Sequence, residues 1–136
     1  MRTIPQALRS KLPSPLRDFR WQARSYLVQI YYDQPAVHFE VWSIRRLSRL
    51  EIGLHFESED RNLNEALFRH LDQYIIEIKA QLGEKVELER WDRGWARLYE
   101  SIPLPSFSQR FAEEVASRLA QMIIVLYPYL EEIRPH

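Results

Sequence analysis

The chain has no cysteine. A disulfide scaffold, an iron–sulfur cluster, a thiolate zinc site and a cysteine nucleophile are therefore all excluded. The absence suits a reducing compartment. Only three glycines are present, Gly53, Gly83 and Gly94, in widely separated places. No glycine-rich loop of the kind that cradles phosphates can be built from them. No Gly-x-Ser-x-Gly or other nucleophile signature occurs. Long apolar runs are also missing: the longest, Met122 to Tyr127, falls far short of the roughly 20 residues that span a bilayer. The N-terminus has no apolar stretch of signal-peptide type. A cytoplasmic protein with no membrane partner is expected.

What is present fits one globular domain. The chain has 136 residues, 46% hydrophobic and 28% charged, enough to bury a core and too apolar for disorder. Formal net charge is zero but unevenly spread: residues 1–24 carry six basic side chains against Asp18 alone, the rest 13 basic and 18 acidic. A basic arm, residues 1–13 at its start, either folds back on the acidic body or meets an external polyanion.

Periodicity gives the elements. Ser14-Pro15 reads as a helix start, with Leu16, Phe19 and Ala23 as the stripe of a short helix ending near Ser25. Residues 26–32, 36–43 and 50–57 read as three strands of an antiparallel meander. From Leu63 to Leu82, apolar residues at three- and four-residue steps predict one helix, with Gly83 as its stop. Residues 86–91 and 95–102 flank Asp92-Arg93-Gly94 as a hairpin. Ser106 and Gln109 suit a capping box before a second amphipathic helix, which Pro128 should kink or end. The expected fold is a two-layer α+β domain over residues 1–136, in the order α-β-β-β-α-β-β-α. Helices should cover one face of a five-stranded antiparallel sheet and leave the other open.

The open face carries the candidate chemistry. Alternation puts His38, Glu40 and Trp42 on it from one strand, then Glu51, His55 and Glu57 from the next. His38/Glu40 and His55/Glu57 are two His-x-Glu pairs, each on one strand face. If the strands are in register, four ligands suited to zinc, iron or manganese converge. The same alternation also describes any half-solvated strand. Trp42, Trp91, Trp95 and Tyr99 form an aromatic set suited to a partner interface, most simply a second copy. Arg17, Arg20, Arg45, Arg46 and Arg49, with Arg2, would make a phosphate-binding patch if the arm and the strand connection lie together.

Two resemblances add to this. Asn64 to Phe68, Leu71, Ile78, Leu82-Gly83-Glu84, Val86 to Arg90 and Arg97 together resemble a bacterial domain of unknown function found behind predicted restriction-like nuclease domains. The likeness lies within residues 50–102 and implies an accessory role near DNA, with no catalytic residues to carry over. The element order is similar to that of type III secretion chaperones, which are dimers that bind extended client segments. Ile75 to Lys79 has the apolar-Glu-x-Lys form of restriction-type nuclease strands. It falls inside a predicted helix, where Glu77 and Lys79 point roughly 200° apart. The sequence thus predicts a non-enzymatic binding module, a homodimer with a protein partner and no cofactor. The alternative is an accessory nucleic-acid-binding module of a restriction or defence system. A third reading is a metal-dependent enzyme using His38, Glu40, His55 and Glu57.

Overall fold

A computed structural model describes residues 1–133. Among the described residues it is an α+β fold with four helices and an antiparallel sheet open on one face. The sheet has six strands: β1 (Arg20–Arg24), β2 (Leu27–Tyr31), β3 (Val37–Ile44), β4 (Arg49–Phe56), β5 (Glu87–Arg90) and β6 (Ala96–Pro103). Their spatial order is β1-β2-β3-β4-β6-β5, and every neighbouring pair is antiparallel. The helices are α1 (Ile4–Arg9), α2 (Arg61–Gln73), α3 (Ile75–Leu82) and α4 (Gln109–Ile133).

The sixth strand corrects the expectation of a helix over residues 14–25. Ser14–Leu16 is a single 3₁₀ turn, and Arg20–Arg24 pairs with β2 through a tight hairpin in which Arg24 faces Leu27. The Leu16, Phe19, Ala23 spacing imitated a helical stripe. The bulky Trp21 beside Gln22 and Arg24 instead suits an exposed edge strand. The arm does not hang free. Ile4, Leu8 and Leu12 are buried, and α1 packs against α4. Arg9 donates to the carbonyls of Arg17 and Phe19 and stacks 4.3 Å over the Phe19 ring. Lys11 reaches Glu113 at 2.8 Å.

The predicted helix over residues 63–82 is broken. Tyr74 leaves helical geometry at φ −110°, ψ 16° and separates α2 from α3. Its ring packs against those of His70 and Tyr129, at 5.3 and 5.2 Å between centroids. Asp60 caps α2 by accepting the Asn62 and Leu63 amides. Ser108, not Ser106, caps α4, its hydroxyl accepting the Phe111 N–H at 3.1 Å. Pro128 lies inside α4 without ending it. The packing of Leu126, Leu130 and Ile133 against the core holds the helix together across the missing amide.

The core lies between the helices and one sheet face. Val28, Ile30, Phe39, Val41, Leu50, Ile52, Leu54, Phe56 and Leu98 point into it. The alternate residues of the same strands line the opposite face, where the candidate site lies.

A buried His2Glu2 cluster on the open sheet face

Register decides what the open face brings together. His38 on β3 faces His55 on β4 directly, and Glu40 faces Gly53. Glu57 follows β4 immediately, its amide held by the Ala36 carbonyl at 2.8 Å. One ligand atom from each of His38, Glu40, His55 and Glu57 can be chosen so that all four lie within 4.8 Å of one another. The two imidazole rings stack with 10° between their planes and 5.5 Å between centroids. His38 and His55 are each 2% exposed and Glu40 is 7% exposed, although no helix covers this face among the described residues. Such burial is unusual for a solvated strand face.

The orientation of each imidazole is fixed. His38 turns Nδ1 to the Pro35 carbonyl at 2.7 Å and Nε2 to Glu40 Oε1 at 3.1 Å. His55 turns Nδ1 to Glu57 Oε2 at 3.1 Å and Nε2 to Glu40 Oε2 at 3.3 Å. Glu57 Oε1 lies farther off, 3.9 Å from His38 Nε2. Gln29, opposite Glu40 on β2, donates to Glu40 Oε1 at 3.1 Å and lies 3.3 Å from His38 Nε2.

Charge in this cluster must balance. Both nitrogens of His55 face carboxylates, Nδ1 to Glu57 and Nε2 to Glu40. The buried Glu40 carboxylate and the Glu57 carboxylate at the rim call for compensating positive charge, which a divalent cation would supply. Burial disfavours the His38 cation. The Glu40 hydrogen bond, the charges of Glu40 and Glu57 and the Pro35 carbonyl outweigh it, holding the His38 pKa above its ordinary value. Burial likewise disfavours the Glu40 anion. The His38 hydrogen bond, the charges of both histidines and the Gln29 amide outweigh that, holding Glu40 below the usual carboxylate range.

Beside the cluster, Arg97 faces His55 in register. Its guanidinium lies 4.3 Å from the Trp91 ring and 3.8 Å from the Tyr99 ring. It also contacts Glu51 and Glu89, each at 2.7 Å. Trp91 also meets His55 edge-on at 6.0 Å and Trp95 at 6.3 Å. Three of the four predicted interface aromatics thus gather around Arg97 and the hairpin turn. Trp42 is separate, near the far end of β3, opposite Leu27 and Glu51.

The arginines divide between the two ends of the sheet. Arg20 faces Tyr31 at one end, and Arg17 lies just before it with its Nε on the Leu12 carbonyl. Arg45 and Arg46 sit on the 3₁₀ turn at the other end, where Arg49 pairs with Ile44 and binds Ser101. The structure does not bring these five into one patch. Sequence reading passed over Gln29 as part of the site. Its signal was a lone amide inside the apolar strand Leu27–Tyr31, on the face that alternation assigns to Glu40. The Pro35 carbonyl left no mark in the sequence.

No family model matches this chain, and neither does any curated protein or solved structure.

Proposed function

We propose that this chain is a metal-binding module whose centre, formed by His38, Glu40, His55 and Glu57, takes one divalent first-row transition ion of the zinc, iron or manganese class. The observation that carries the reading is the convergence of these four side chains from two paired strands within 4.8 Å. A four-coordinate ion with bonds of about 2.1 Å needs ligand atoms about 3.4 Å apart. The His38–Glu40 and His55–Glu40 contacts, 3.1 and 3.3 Å to different Glu40 oxygens, are close to that spacing, and the whole set, within 4.8 Å, would draw in slightly around an ion. One divalent ion would offset the charges of the Glu40 and Glu57 carboxylates. An outer partner supports the reading too, because ligating histidines are ordinarily oriented through their second nitrogen, as the Pro35 carbonyl does for His38 here.

The test is elemental analysis of purified protein after dialysis, and again after reconstitution with zinc. One ion per chain that is lost in both His38→Ala and His55→Ala supports the proposal. A folded wild-type protein that takes up no ion in either experiment overturns it.

A homodimer through the aromatic face is a second reading. Trp91 remains 36% exposed despite lying against His55 and Arg97, an expensive surface unless something covers it. Light scattering tests this, and a strict monomer at high protein concentration rules the dimer out.

A further inference from the structure

We infer that only three of the four residues, His38, His55 and Glu40, bind the ion directly, and that Glu57 orients His55 from behind. This leaves the ion an open coordination position for water or a small monodentate anion. The inference rests on the metal-binding reading above and concerns how that centre is built.

The two histidines present their rings in the same sense. Each directs Nε2 at the Glu40 carboxylate, to a different oxygen of it. Each directs Nδ1 away from Glu40 to an acceptor, the Pro35 carbonyl for His38 and Glu57 Oε2 for His55. An ion between the two Nε2 atoms and Glu40 leaves both Nδ1 atoms protonated and both protons already satisfied. Glu57 then does for His55 what the Pro35 carbonyl does for His38: it fixes the tautomer and the ring angle. Were Glu57 a ligand through the oxygen now on His55, the Nδ1 proton would lose its acceptor.

Burial separates the same groups. The side chains of His38 and His55 are each 3% exposed and Glu40 is 8% exposed, whereas Glu57 is 19% exposed. Glu40 is further held by Gln29 at 3.1 Å. Glu57 makes its ion pairs with the two histidines, and the one to His38 is long at 3.9 Å. Three rigid donors on paired strands and one carboxylate at the rim describe an open centre. A closed structural site would have four equivalent donors.

Cobalt-substituted protein tests this, because the visible absorption of Co²⁺ reports its ligands. Wild type, Glu57→Gln and Glu40→Gln are titrated with Co²⁺, then with azide, and folding is checked by circular dichroism. The glutamine at position 57 still accepts the His55 proton through its amide oxygen. Glu57→Gln should therefore bind Co²⁺ at one per chain within about tenfold of wild-type affinity and with a similar spectrum. Folded Glu40→Gln should lose at least about a hundredfold in affinity. Azide should shift the wild-type spectrum. The inference is overturned if Glu57→Gln loses the ion as completely as Glu40→Gln, or if azide leaves the wild-type spectrum unchanged. Failure of wild type to take up cobalt would strike the metal-binding reading itself, so the two failures are distinct.

Discussion

His38 and His55 occupy directly opposed positions on β3 and β4, and their parallel rings share the Glu40 carboxylate between them. Without an ion, the charges of Glu40 and Glu57 at this point are offset by hydrogen bonds. A bound ion would bind the folded arrangement and not the unfolded chain, so loading should stabilise the fold. At zinc concentrations about a hundredfold above Kd, linkage predicts about 2.7 kcal/mol of stabilisation, read as a rise in thermal midpoint. His38→Ala should show no zinc-dependent rise. Trp91, edge-on to His55 at 6.0 Å, should report loading in fluorescence, and Trp91→Phe should lose most of that signal.

Gly53 lies between Glu40 on β3 and Tyr99 on β6. A Cβ added there would lie 2.4 Å from the Leu98 carbonyl oxygen, 2.6 Å from Tyr99 Cβ and 2.8 Å from Tyr99 Cα. Two of these are backbone atoms of the paired strand and cannot swing aside. Gly53→Ala should cost about 2–3 kcal/mol in denaturant unfolding. It should also weaken metal uptake, because the strand that must shift is the one carrying His55. A neutral substitution would mean that β4 and β6 separate more easily than their pairing implies.

What the sequence disclosed followed period-two alternation. His38, Glu40, His55 and Glu57 could be assigned to one sheet face because each alternates with core residues such as Phe39 and Phe56. Their convergence could not be read, because the pairing of His38 with His55 depends on the turn of residues 45–48 closing that loop in one register. The left-handed Ser48, φ 49°, which sets that closure, carries no sequence signal of glycine or asparagine type. The missed strand Arg20–Arg24 has a similar cause: its side chains lie on an exposed edge, so no alternating burial marks it. The break at Tyr74 falls where its ring meets Tyr129, 55 residues away, and local periodicity does not record such a contact.

Glu100 points from β6 into the helical layer, where it is 7% exposed and Arg118 of α4 binds both its oxygens. Arg118 also donates to the Leu82 carbonyl at the end of α3, so one guanidinium ties sheet, α3 and α4 together. Arg118→Ala strands a buried carboxylate and should cost about 3 kcal/mol or more. Replacing both members, Glu100→Leu with Arg118→Leu, should cost distinctly less than the single change, because no unpaired charge remains. Chemical denaturation of the three proteins checks this. Equal losses in the single and double variants would show that the pair itself, rather than the stranded charge, sets the cost.

Acid should act on the helical layer through Glu65. Hydrogen bonds from Arg90 and then Arg69 hold its carboxyl well below its ordinary 4.5, at about 2, with the charges of both arginines helping. A depressed carboxyl contributes stability that is present above its unfolded pKa and disappears as pH falls through its folded one. The Glu65 contribution should therefore be intact above about pH 4.5 and gone by about pH 2. Glu65→Gln removes that dependence. Urea midpoints of wild type and Glu65→Gln should differ at neutral pH and converge as pH falls across that window. The gap should be modest, because these side chains are substantially solvated and surface pairs contribute little. It should also shrink in high salt, which screens the arginines, and a gap that survived both acid and salt would point to packing of the Arg90 guanidinium 4.1 Å over Phe68 instead.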